Sequence, residues 1–186
     1  MLPFPEYRPD IADYNSTYTR TLLNVLPRGD GYGPISSLVA VTSALAAAAR
    51  GFFYARKSDG SISAFTGTST KLYQLNNTDF TWTDVSKAAG TYTALTSTDQ
   101  WQFAQFNNFV FAVQANTVPQ VFDMSSSTNF ANNAGSPPQA AGIAVVGQFL
   151  VLSGLLSTPY RMQWSAIGDT TGWTAGVNQS DFQDFA

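Results

Sequence analysis

Cysteine and histidine are both absent from the 186 residues. Without cysteine there is no disulfide, no thiolate metal ligand and no thiol nucleophile. Without histidine the commonest general base and the imidazole metal ligand are missing too. Most familiar enzyme mechanisms are excluded with them. Charge is also scarce: Asp, Glu, Lys and Arg make up 11% of the chain, less than half of the roughly 25% usual in globular domains. The net charge is −3 and the cations form no run. Gripping nucleic acid by phosphate neutralisation is thereby excluded, although surrounding it is not. Long apolar runs are missing as well. The best, "AAGIAVVGQFLVLSGLL" at 140–156, is broken by three glycines and a glutamine, too short and interrupted to span a membrane. The opening "MLPFPEYRPD" has neither a basic n-region nor an apolar h-region, so no export signal is expected. The sequons at Asn15 and Asn178 carry no weight without one.

What is present makes a folded β-protein. About 44% of the residues are apolar, enough for one well-buried domain or part of a larger one. Ser, Thr, Asn and Gln must supply much of the surface polarity, as in large extracellular or virion β-proteins. Five of the nine prolines (positions 3, 5, 9, 27 and 34) fall in the first 34 residues. Proline fixes φ and biases its predecessor to extended geometry, so residues 1–48 read as an extended Pro/Tyr-rich arm. "SALAAAARG" at 43–51 is the sole helix-like stretch, with Ser43 as a potential N-cap. It is short for a stable helix, and one turn leading into a strand competes with it.

From Gly51 onward the pattern alternates. "FNNFVFAVQ" puts Phe109, Phe111 and Val113 on one face and Val110, Ala112 and Gln114 on the other, the period of a strand. Asn107-Asn108 before it tolerates the positive φ of a tight hairpin. Gly147-Gln148 and Asp59-Gly60 mark two more hairpins. Turns at 59, 107 and 147 lie 48 and 40 residues apart. Each hairpin is followed by a third run, "KLYQL", "PQVFDM" or "YRMQWS", and then by an isolated aromatic. Those aromatics, Trp82, Phe130 and Trp173, lie 48 and 43 residues apart. Both landmarks return a unit of four short strands, the period of a β-propeller blade. The expected fold is all-β: four-stranded antiparallel blades at about 49–92, 93–138 and 139–186. A β-sandwich or meander is the competing arrangement. Closure typically takes four or more blades, and the final "SDFQDFA" reads as another strand beginning, so further blades are expected beyond those visible.

Chemistry-bearing constellations are few. Glu6 and eleven aspartates are the only carboxylates, and Asp169, Asp181 and Asp184 are the candidates for a hydrolytic pair or a cation site. "DMSSSTN" at 123–129 spaces its oxygens as a calcium loop does but lacks the central Gly and closing Glu. "GTSTK" lacks the spacing of a phosphate loop. No cofactor, metal or catalytic residue is expected. Most aromatics alternate with small residues inside expected strands, as core residues do. Tyr7, Tyr14, Tyr18 and Tyr32 lie instead in the arm, with Asn24 opening "NVLP". Tyrosine is favoured at protein interfaces, so these five are the candidate partner contacts. Arg28-Gly29-Asp30 sits between Pro27 and Gly31, where a tight bend explains it without an integrin ligand.

The order of motifs resembles the β-propeller tail accessory, or nozzle, proteins of short-tailed bacteriophages. The match runs from Pro9-Asp10 through "NVLP", "GYGP", "GTSTKLYQL", "WTDVS", "WQFAQFNNFVFAV", "PQVF", "QFLVLSG" and "QWSAIGDTTGW", and it is one of layout along nearly the whole chain. The resemblance implies a structural, non-enzymatic virion protein in the tail. It implies a homo-oligomeric, six-fold ring adjoining portal, adaptor and other tail proteins. DNA would pass through its channel without specific binding, and no membrane anchor is involved. Two alternatives compete: a host-recognition module for a surface protein or glycan, and a glycan hydrolase using Asp169 or Asp181, which the scarcity of Glu disfavours.

Overall fold

A computed structural model of the chain describes residues 6–12, 14, 17–29, 31–88 and 90–185. The chain divides into two compact units, Met1–Ala40 and Val41–Ala186. In the first, β1 (Val25–Arg28) and β2 (Gly31–Pro34) form an antiparallel hairpin. Asp30 lies outside the described residues, and with it part of the Arg-Gly-Asp motif.

The second unit is three four-stranded antiparallel sheets laid down one after another. The first contains β3 (Phe52–Arg56), β4 (Ile62–Gly67), β5 (Leu72–Leu75) and β6 (Trp82–Asp84). The second contains β7 (Gln102–Phe106), β8 (Phe109–Gln114), β9 (Thr117–Asp123) and β10 (Ala131–Asn132). The third contains β11 (Ala140–Val146), β12 (Phe149–Leu155), β13 (Arg161–Trp164) and β14 (Asp181–Asp184). Within each sheet the spatial order is the sequence order. Local turns force this: Phe106 pairs with Phe109 and Val146 with Phe149, leaving two-residue loops. In these loops Asn107 (φ 53°) and Gly147 (φ 59°) take the left-handed conformation. Both residue types reach it cheaply.

The alternation read along β8 has a direct structural meaning. Val110 and Ala112 enter a core with Ala55, Phe65 and Leu72 of the first sheet. Phe111 and Val113 enter a second core with Leu150, Leu152 and Leu155 of the third. The middle sheet is therefore covered on both faces, and its strand reads as a continuous apolar run. The first strands are neighbours: β3 packs beside β7, and β7 beside β11. Phe53 stacks on Phe103 at 5.9 Å between ring centroids. Gln105 bridges the same strands, accepting from the Arg56 N–H at 2.9 Å and donating to the Arg56 carbonyl.

Two sequence readings meet the structure here: the choice left open at 43–51, and the expectation that the final residues begin another sheet. Among the described residues there is no helix, so the alanine-rich 43–51 segment is not helical. Its backbone groups have tertiary partners instead: the Ser43 N–H donates to Phe80 O, the Arg50 N–H to Gly67 O, and Arg50 O accepts from Trp101. Trp173 does not lie in a fourth strand. It is a buried loop residue of the second core. "SDFQDF" provides the fourth strand, β14, paired to β13 with Gln163 opposite Phe182, and does not begin a further sheet.

Candidate functional site

The arm residues selected from sequence occupy different settings. The Tyr7 N–H donates to the Tyr32 hydroxyl at 3.2 Å, and Tyr7 bridges Thr19 in parallel fashion. The Arg8 guanidinium pairs with Glu6 at 2.9 Å and lies 5.1 Å from the Tyr18 ring centroid. Tyr14 is almost fully exposed, whereas Tyr32, in β2, is half-buried. Asn24 is left-handed at φ 58°, and its carbonyl accepts the Ile35 N–H at 3.1 Å, closing the base of the hairpin. Tyr7 and Tyr32 are thus brought together, with Arg8 leading on to Tyr18. No described contact joins Tyr14 to them.

Among the described residues the carboxylates do not assemble a centre. Among the described residues no group of three acidic, His or Cys side chains is placed to hold a metal. Asp169 accepts both the N–H and the hydroxyl of Thr171, at 2.8 and 2.7 Å. Asp184 takes a two-pronged bond from Arg161 at 2.6 and 2.8 Å. Asp181 accepts the Phe182 N–H. The calcium-like 123–129 loop is satisfied internally. Asp123 accepts from the Ser125 hydroxyl and N–H, the Ser126 hydroxyl and Asn108, and these bonds draw its carboxyl down to about 2. A polar cleft of about 570 Å³ lies beside the first sheet, lined by Lys57, Ser63, Gln74, Asn77, Ser127 and Thr128. It offers hydrogen-bonding groups, with neither an aromatic platform nor a carboxylate.

The surfaces with the clearest chemistry are two sheet faces, and sequence reading did not single them out. On the first sheet, Phe52, Tyr54 and Ile62 sit on the face turned away from the second sheet, sharing it through cross-strand pairs with Thr66, Ala64 and Arg56. They are 48%, 66% and 54% exposed. Tyr73, Leu75 and Trp82 continue this face through the pairs Thr66–Tyr73 and Leu75–Trp82. Phe52 meets Tyr54 and Trp82 edge-on at 4.7 and 6.4 Å, and the buried Thr66 lies between Phe52 and Tyr73 in the sheet. The Trp82 indole N–H donates to the Thr42 hydroxyl at 3.3 Å. On the third sheet, Ala144, Val146, Phe149, Val151, Met162 and Trp164 share the outward face. Ala144 is exposed, Val146 is 59% exposed and Met162 36%.

Aligning the three sheets on their closing turns shows why these faces are apolar. Residues 54, 103 and 143 correspond, as do 55, 104 and 144, and 64, 112 and 152. Phe103 and Ile143 each head the face directed at the preceding sheet, and Tyr54 takes the equivalent place on the first sheet. Ala55 and Ala104 each sit on the face directed at the following sheet, and Ala144 takes the equivalent place on the third. Ala55 and Ala104 are 1% and 7% exposed beneath the next sheet, and Ala144 has none above it. A scan against protein-family models finds no match to the chain, and a search of curated proteins finds no relative either.

Proposed function

We propose that this chain is a structural component of a short-tailed bacteriophage tail, a β-propeller segment in a ring through which DNA passes. The observation that carries the reading is the repeat itself. Three up-and-down sheets pack successively, first strand beside first strand, with equivalent faces meeting at both junctions. That is how blades surround a propeller axis, and it agrees with the layout by which the sequence resembles tail nozzle proteins. The role proposed is architectural: copies ring the channel, adjoin portal, adaptor and other tail proteins, and help retain and release the genome. A net charge of −3 without a basic cluster suits a wall past which phosphates slide. The arm around Tyr7, Tyr18 and Tyr32 supplies partner contacts. DNA titration tests the conduit property. Weak binding, with little change between low and moderate salt, is expected. Tight binding with the steep salt dependence of multiple phosphate contacts contradicts it.

A second reading, recognition of a host glycan, is favoured by the amide- and hydroxyl-lined cleft at Gln74, Asn77, Ser127 and Thr128. Binding of the purified protein to bacterial surface glycans, lost on Gln74→Ala and Asn77→Ala, would support it over the conduit.

A further inference from the structure

The polar cleft beside the first sheet is neutral along most of its length and cationic at one end. Lys57 lines the cleft and also a neighbouring hollow of about 500 Å³, which it shares with Arg56, Ser58, Asn107 and Asn108. Among the described residues these two cations are the only charged side chains lining either space. We propose that the cleft takes an acidic glycan, its hydroxyls in the neutral part and its anionic group on Lys57 and Arg56. This rests on the glycan reading above and names the class of glycan.

The backbone fixes both cations. Arg56 ends β3, where Gln105 bonds its N–H and its carbonyl. Lys57 opens the next turn, its N–H donating to Ser61 O at 2.8 Å and its carbonyl accepting from Gly60 at 3.0 Å. Neither side chain has an ion-pair partner within 4.0 Å among the described residues. The carboxylates of the adjoining loops are committed elsewhere: Asp59 to Ser61, Asp79 to Thr81, and Asp123 to Ser125, Ser126 and Asn108. Asp59 is lowered first by its bonds from Ser61 and only in lesser part by Lys57. The neutral part is set for hydroxyl donors. Gln74 and Asn77 spend amide N–H groups on the Ser63 hydroxyl and on Ile62 O, at 3.3 and 2.7 Å. Their amide oxygens have no described partner. An amide oxygen only accepts, so it suits a sugar hydroxyl and disfavours an anion. An acid group is thereby turned from the Gln74–Asn77 end towards Lys57 and Arg56, which form charge-assisted bonds with carboxylate or phosphate oxygens. A ligand with many hydroxyls and an acid group satisfies both ends. DNA, a run of phosphates with few hydroxyl donors, does not.

A glycan array carrying uronate-bearing, phosphate-bearing and neutral bacterial glycans, probed with the full chain, tests it. Binding is expected among the acidic glycans, and the two acidic classes tell carboxylate from phosphate. Calorimetric titration then compares a bound acidic glycan with its counterpart whose acid group is reduced or removed. The counterpart should bind about tenfold more weakly. Lys57→Gln and Arg56→Gln should each weaken the acidic glycan by a similar factor, leave the neutral counterpart unchanged, and keep the circular dichroism of the wild type. Neutral glycans bound as tightly as acidic ones overturn the acid assignment while the glycan reading stands. Binding of no glycan overturns both. Single-stranded DNA bound as tightly as the acidic glycan marks a general polyanion surface, and that also overturns the proposal.

Discussion

Trp101 joins the first sheet to the second through its own contacts. It is 2% exposed, its indole N–H donates to Thr68 O at 2.9 Å, and it meets Tyr92 edge-on at 5.0 Å. Its ring lies directly against Gly67, where any Cβ would collide with it. Gly67→Ala should therefore destabilise by about 1–3 kcal/mol, the usual result of forcing a methyl into a packed site. A urea midpoint unchanged from wild type would show that the ring has room to move. The requirement for glycine at 67 was not legible in the sequence, because it arises from a residue 34 positions later. The aspartates are the opposite case. Asp59, Asp79, Asp84, Asp123 and Asp169 each accept the N–H of a Ser or Thr two residues on. Such local turns follow from Asp-x-Ser/Thr spacing alone, a signal that a search for catalytic carboxylates passes over. The hydroxyl of Ser125 first, then its N–H, holds Asp123 at about 2. Hydroxyls of Ser61, Thr81 and Thr171 lower Asp59, Asp79 and Asp169 in the same way. A carboxyl lowered by folding adds stability above its unfolded value of about 3.9 and loses it as pH falls through the folded value. The urea midpoint should fall between about pH 4 and pH 2, and Asp123→Asn should flatten part of that fall. A midpoint independent of pH across that window contradicts the assignment.

At the scale of elements, the hairpins were legible because their determinants are local. Asn107 and Gly147 sit where a two-residue loop needs a left-handed residue, and alternation placed the flanking strands in register. Gly147→Ala should destabilise by about 1–2 kcal/mol through backbone strain alone, since nothing lies within 4 Å of the added methyl. Gly147→Asn should lose less, asparagine being tolerant of that conformation. Equal losses from both substitutions would mean that the loop opens by another route. The fourth strands were harder to place. β10 is two residues long, and in the third sheet the conspicuous Trp173 marks a buried loop ahead of β14. Its indole N–H bonds Thr170 O, and its ring fills the core beside Leu150 and Leu152. An aromatic landmark records burial, which a loop over a core supplies as well as a strand does. The 43–51 segment, left open between a helix and a turn leading into a strand, is not a helix for a related reason. Local propensity favoured it, but Phe80, Gly67 and Trp101 took the backbone bonds a helix needs.

At the scale of the whole molecule, the repeat was legible as a period, whereas the open faces were not. Tyr54 and Ala144 look like any core residue in the sequence, yet both are exposed where their counterparts at 103 and 55 pack against a neighbouring sheet. The proposed function rests on the same stacking, three successive sheets packed first strand beside first strand. A reconstruction of the intact phage particle tests that account most directly. The account predicts three-sheet units of this chain arrayed in a ring on the tail axis, next to the portal and adaptor, with DNA density inside. A position on a peripheral fibre, away from the channel, would contradict it.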